Sequence, residues 1–429
     1  MQRLGRVDWA LTSLPAGARR PLILTVADWI SFSFFPIGLQ TAVVLSHHLG
    51  FRGYCLISFL GSAILAITSA ASGYVAQKTG LSFGLMSRLI FGRFGYLLPC
   101  AIVPVGLIGW DSFNLALQSD FTVGLFHLGS KWYIPLCFIY MLLFGFGAVA
   151  GFKWIARIAV FAAPAMSIFL LYGVALSVTR TGKFTGLWPT DPIVHSVSFA
   201  QGLTAVVGLF ALGASVSSPD IQRFCRSGKD AILTAVYAFG IAFPLHLLAG
   251  AVCGLATGET SIAAAFARLG ATALGFILLF ILSWTVVHND YYSASLGLAS
   301  LLKHSRPLMA TVAALVAACI AATDLQGHLI QWLTLMSTIA TPLAGLIVAD
   351  FFFNQRFWYR DVDSLRSSNE IVSKRPWRLD SYVSWFLGAA TVYVTNKFGV
   401  MIPPLNGIIV AFLSQAAFAA FRPSESVVR

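Results

Sequence analysis

The chain has 429 residues, 58% of them hydrophobic and only 10% charged, a charged share well below that of a soluble domain. Such a composition excludes a soluble globular protein and points to a polytopic membrane protein. The formal charge of +12 would suit a nucleic-acid partner, but in a membrane protein it must first be sorted by side.

Taking runs of about 20 apolar residues as spans, the sequence predicts twelve. Their cores lie near 22–45, 54–77, 95–119, 132–150, 154–178, 197–219, 230–256, 266–302, 308–323, 327–353, 381–396 and 402–421. The first run, starting near Leu22, is too long for a signal h-region and no small-residue cleavage site follows it, so the first span is expected to remain in the mature protein. Loop Lys and Arg should gather on the cytoplasmic side. With these spans, 22 of the 28, among them Arg19, Arg20, Lys78, Arg88, Arg223 and Arg378, fall on one side, against Arg52, Lys131, Arg180, Lys183, Arg268 and Lys397 on the other. The charge is therefore a topology signal for an inner-membrane protein with both termini in the cytoplasm, and no nucleic acid is implied. Cytoplasmic segments are expected at 1–21, 354–380 and 422–429. The cysteines, Cys55, Cys100, Cys137, Cys225, Cys253 and Cys319, have no paired spacing and read as small buried hydrophobes.

Spans one to five (22–178) and six to ten (197–353) are two blocks of equal length, and because five is odd the second enters the membrane upside down. This predicts an all-α fold with a five-plus-five inverted repeat, followed by helices eleven and twelve (381–421). In such transporters the broken first helix of each repeat frames a midplane site. Candidate breaks are Ser31 to Gly38, containing Pro36, and Gly208 to Gly213. Glycine also serves close helix packing, but the matching positions favour the functional reading.

Polar residues inside apolar spans are costly and mark function. Span one carries Asp28 beside Trp29, a candidate proton or cation site unless it reaches the cytoplasmic mouth near Arg20. Span three carries Gly109-Trp110-Asp111-Ser112-Phe113-Asn114, with Trp110 and Asn114 on one face. An indole plane beside an amide suits a flat heteroaromatic ligand. Span eight is interrupted by Ser283 to Ser293, with Thr285 and Asn289 four apart and His288-Asn289-Asp290 in sequence. An amide both donates and accepts, as reading a uracil-like or cytosine-like edge requires. No phosphate loop, zinc-spacing His-Glu pair or nucleophile elbow is present.

These residues resemble the nucleobase:cation symporter family of purine, cytosine, uracil, allantoin and hydantoin permeases, most closely its bacterial cytosine-permease branch. The matching stretches are Gly73 to Leu81 with Ser87-Arg88, Phe91-Gly92 and Gly95, Gly109-Trp110, Ser218-Pro219-Asp220-Ile221-Gln222-Arg223-Phe224, and Ile347 to Phe351 with Asn354-Gln355-Arg356. The resemblance implies a LeuT-like fold of twelve helices, no cofactor, and cation-driven uptake of a heterocyclic small molecule. It places Trp110 against the ligand ring, Phe210 over the other face, and Asn114 and Asn289 at the ring edge. Family members that use sodium hold it with span-one carbonyls and consecutive span-eight hydroxyls. Here Thr285 is followed by Val286, and Leu282 stands at a further ligand position, where a hard cation wants oxygen. The expectation is proton rather than sodium coupling, with Asp28, His288 or Asp290 as the titrating group. Alternatives are an amino-acid or amine carrier on the same fold, and a channel or intramembrane enzyme.

Overall fold

The computed structural model describes residues 12–150, 152–182, 197–323, 326–354, 376–400 and 402–421, with the side chains of 150, 152–158, 300 and 326 left aside. The N-terminal half of the expected 1–21 segment, positions 355–375 of the expected loop (with Gln355 and Arg356 of the last motif) and the 422–429 tail lie outside these residues.

The helices in chain order are α1 Leu22–Ser33, α2 Pro36–Thr79, α3 Phe83–Phe91, α4 Leu97–Leu125, α5 Tyr133–Ala150, α6 Phe152–Thr181, α7 Phe199–Gly208, α8 Gly213–Gln222, α9 Gly228–Thr257, α10 Ile262–Arg268, α11 Thr272–Leu302, α12 Arg306–Ala321, α13 Leu329–Phe353, α14 Leu379–Phe398 and α15 Pro403–Ala420. Among the described residues eight helices are long and apolar enough to cross a membrane, nine if α7 and α8, bent by 42°, form one span. Within α2, Gly50 at φ 68° separates two helices, a left-handed backbone that glycine adopts at no steric cost. Its first half completes span one and its second is span two. Large apolar side chains such as Phe146, Phe161, Leu171 and Phe386 point outward, a surface that bilayer hydrocarbon covers.

Both expected breaks form. Pro36 disfavours helix at the residue before it and cannot donate a backbone hydrogen bond, so Phe34 and Phe35 are extended and α2 restarts with Pro36 in its first turn. At the second break, α7 ends at Gly208 and the chain re-enters a widened turn over 213–217. A Cβ on Gly208 would lie 2.2 Å from the Leu333 carbonyl oxygen of α13, so only glycine permits this approach. Gly208→Val is expected to cost on the order of 1–3 kcal/mol and to reduce uptake at least severalfold, measured as thermal midpoint in detergent and initial uptake rate.

The polar stretch of span eight lies within one continuous helix, α11, from Thr272 to Leu302. The run expected from 266 is shortened because Ile262–Arg268 forms the separate α10, ending where Gly270 takes a left-handed turn. Cys319 is exposed and Cys55 half-buried, while the other four cysteines are buried as expected.

Several stretches that carried the resemblance are structural fastenings. The Asp220 carboxylate accepts from the Phe83 backbone N–H at 2.9 Å and so caps the first turn of α3. Gln222 donates to Ser69 at 3.0 Å and lies against Gly73, where any Cβ would collide with it. Asp350, at the end of α13, accepts from Arg378, Asn354 and Gln415.

Candidate functional site

The two breaks face each other. Phe32 and Phe35, from the ends of α1 and its extended linker, lie 4.9 and 5.5 Å from Phe210, ring centre to ring centre. Phe210 sits in the turn between α7 and α8 and also meets Trp29 at 5.9 Å and Phe239 at 5.0 Å. Trp110 of α4 stands edge-on to Phe35 at 5.4 Å. Aromatic pairs at these separations and angles are mutually attractive, so a ring cluster holds the two breaks against each other.

A small cleft remains between them, lined by Phe32, Trp110, Phe210, Asp290, Met336 and the glycines Gly106, Gly208 and Gly213. Its free volume is about 20 Å3, room for roughly one water molecule. A heterocycle therefore enters only if a lining side chain, Phe32 or Phe210 above all, turns aside.

Three of the expected residues, Trp110, Phe210 and Asp290, are brought together on this cleft. Asn114 and Asn289 are fully buried on α4 and α11, one turn after Trp110 and next to Asp290 in sequence, and are not among the residues that line the cleft. Their amide groups are used alike: Asn114 Nδ2 donates to the Trp110 carbonyl at 3.4 Å and Asn289 Nδ2 to the Thr285 carbonyl at 3.1 Å. In each the Oδ1 is buried without a hydrogen-bond partner. A buried acceptor left unpaired is costly, and a ring N–H presented to it would remove the cost.

The other expected residues separate from the cleft. Thr285 Oγ1 donates within its own helix to Ile281 and Leu282 carbonyls and touches Met166 Sδ of α6 at 3.7 Å. Leu282 and Val286 are buried among apolar neighbours. His288 turns towards α5, where a Cβ on Gly147 would sit 3.3 Å from the His288 Cβ, and both its ring nitrogens lack partners. Asp28 is buried rather than open at a mouth, and neither of its carboxylate oxygens has a hydrogen-bond partner.

Sequence reasoning missed Phe32, Phe35, Met336 and His246. His246 of α9 stacks on Phe34 at 4.9 Å, and its Nε2 lies 2.9 Å from the Phe35 carbonyl oxygen. It thus meets a backbone group freed by the break, the kind of satisfaction a broken membrane helix needs. The available signal was a lone histidine in the apolar run of span seven.

A family model described as a permease for cytosine/purines, uracil, thiamine and allantoin matches residues 24–412. The cytosine permease of Escherichia coli (strain K12) is 26% identical over 343 residues, which are 80% of this chain and 80% of that protein. The allantoin permease of Bacillus subtilis (strain 168) is 22% identical over 424 residues, with 86% of this chain and 84% of that protein covered. Among solved structures, Mhp1, a nucleobase-cation-symport-1 family transporter in a closed conformation with bromovinylhydantoin bound, superposes with a TM-score of 0.78 at 17% identity, covering 96% of this chain and 95% of its own. The likeness shows the expected all-α, LeuT-like transporter fold.

Proposed function

The chain belongs to the family of permeases for cytosine/purines, uracil, thiamine and allantoin, and on that premise we propose that it imports a nucleobase or related flat heterocycle together with a cation, by alternating access. It is a multi-pass membrane transporter and not an enzyme. The observation that carries the substrate class is the meeting of Trp110 and Phe210 on one cleft, with two orphaned amide oxygens, Asn114 Oδ1 and Asn289 Oδ1, on the helices that bring Trp110 and Asp290 to it. Two ring faces sandwich a plane, and acceptors at its rim select for ring N–H groups. Relatives named as cytosine and allantoin permeases agree with that chemistry.

Proton coupling is preferred to sodium. Support comes from Thr285, whose hydroxyl is engaged by its own helix and Met166, and from the apolar neighbours Leu282 and Val286, which offer no oxygen to a hard cation. The titrating group is sought among Asp28, His288 and Asp290, of which Asp290 alone lines the cleft. The paired breaks support two inverted five-helix blocks, 22–178 and 197–353, that rock around the fixed site. The distribution of Lys and Arg supports an inner-membrane orientation with both termini cytoplasmic.

The test is competition of labelled cytosine, uracil, purine, allantoin and hydroxymethylpyrimidine uptake in cells, repeated with sodium replaced and with a protonophore. One of these rings is expected to be carried and to depend on the proton gradient. If sodium removal alone stopped uptake, the reading of Leu282 and Val286 would be wrong. Asn289→Ala is expected to weaken binding of the carried ring about tenfold to a hundredfold, the loss of one buried hydrogen bond of roughly 1–3 kcal/mol, measured by equilibrium binding to purified protein.

A further inference from the structure

We propose that Asp111 of α4 and Asp290 of α11 form a proton-sharing carboxyl pair at the edge of the substrate cleft, and that this pair carries the coupling proton. The proposal rests on the symport reading above and names a residue, Asp111, that the reading did not use.

Both side chains are fully buried, at 0% and 1% exposure. They face each other within side-chain hydrogen-bonding reach, across the interface where α4 and α11 pack together. Neither Asp111 oxygen, nor Asp290 Oδ2, has a well-aligned hydrogen-bond partner among the described residues, and the side-chain donor beside Asp111 is the Asn114 amide. An ionised carboxylate only accepts. Two of them side by side, both deprotonated, would have no donor between them and would place two like charges in a dry membrane interior, which is prohibitive. The one bond the two carboxyls can make to each other is from a protonated carboxyl of one to the carboxylate of the other, as in the shared-proton arrangement of paired catalytic aspartates.

The groups beside the pair are neutral. On α4 the Asn114 amide gives one N–H to the Trp110 carbonyl and lies beside Asp111. On α11 the Tyr291 hydroxyl is close enough to interact with both carboxyls and lacks a hydrogen-bond partner of its own, while His288 faces α5. From α12, Arg306 lies over the Tyr292 ring and donates to the Ala148 carbonyl. Tyr140 of α5 is bonded to Thr122. On α1, Asp28 has Arg20 as its opposite charge. On α3, Arg88 lies over the Tyr96 ring. Among the described residues no cation acts on either carboxyl of the pair.

Because Asp290 also lines the cleft, its exposure to either side of the membrane changes with the site. With one shared proton the pair is singly negative. It takes a second proton from the outer side, becomes neutral as the site closes on the ring, and gives that proton up when the site opens inward. No other bond is made or broken, and the neutral form is the one that crosses the closed state cheaply.

Two measurements on the full-length protein in lipid decide this. In infrared spectra at neutral pH, a protonated, hydrogen-bonded carboxyl band is expected in the wild type and is lost in both Asp111→Asn and Asp290→Asn. Asparagine keeps the shape and can donate to the remaining carboxylate, so the interface is retained. In proteoliposomes with an imposed pH gradient, both variants are expected to let labelled cytosine equilibrate without accumulating, where the wild type accumulates it. The proposal is overturned if the band survives both substitutions, or if either variant still accumulates cytosine against its gradient as the wild type does. Absence of uptake of every tested heterocycle by the wild type would overturn the transport reading instead, while leaving the infrared result to stand or fall alone.

Discussion

Trp110→Ala is expected to abolish uptake while the protein still reaches the membrane. Trp110 contributes the indole face of the cleft and stands edge-on to Phe35 in the linker of the first broken helix. Stacking of a base on an aromatic side chain is worth about 1–3 kcal/mol by alanine substitution, so the variant loses roughly five-fold to a hundred-fold in affinity from stacking alone. It loses more from the ring cluster: without the indole, Phe35 has no edge partner on α4, and the extended linker keeps only its contacts with Phe210, Phe243 and His246. Removing a buried indole also leaves a cavity worth about 3–5 kcal/mol. Trp110→Phe separates the two effects. Phenylalanine retains a ring face and most of the volume, so this variant is expected to transport with weakened affinity, and Trp110→Ala to be silent at equal abundance in the membrane. Wild-type uptake by Trp110→Ala would sink the stacking assignment.

The fold was legible because its signals are local. Apolar runs delimit spans, and a proline at 36 or a glycine at 208 interrupts a helix wherever the chain folds. Both breaks stood where expected, and Trp110, Phe210 and Asp290 reached one cleft. What the sequence could not show is which face of a continuous helix meets which neighbour. The polar residues of span eight look alike in sequence, yet on α11 they radiate in different directions: Asp290 to the cleft, His288 to α5 and Thr285 to Met166 of α6. Asp111 passed as one polar residue among several because its partner is 179 positions away (290 − 111). His246, in the apolar run of span seven, is given meaning only by the Phe35 carbonyl that the break exposes. Arg378, counted by sequence as one more cytoplasmic charge, is buried instead in an ion pair.

That ion pair gives the largest stability effect. Arg378 precedes α14 and is 7% exposed, and its two terminal nitrogens meet the Asp350 carboxylate at 2.9 and 2.5 Å. The same guanidinium donates to the Leu89 carbonyl of α3 at 2.9 Å and to Asp380 at 3.2 Å. Gln415 of α15 donates to Asp350 at 2.9 Å. Four helices, α3, α13, α14 and α15, are thus tied at one carboxylate. Removing one member of a buried pair leaves an uncompensated charge and costs about 3–5 kcal/mol, whereas replacing both by apolar groups of similar volume is often neutral. Asp380 offsets part of the loss, because it remains on Arg378. Asp350→Ala is therefore expected to lower the thermal midpoint in detergent by on the order of 5 °C and to reduce the amount recovered from membranes. The paired change Asp350→Leu with Arg378→Met should recover much of that loss, since the fully buried carboxylate goes together with its guanidinium and the carboxylate left behind, Asp380, is the more exposed of the two at 19%. A midpoint for Asp350→Ala equal to the wild type, or a double variant worse than the sum of its single changes, would show that the carboxylate does not hold these helices.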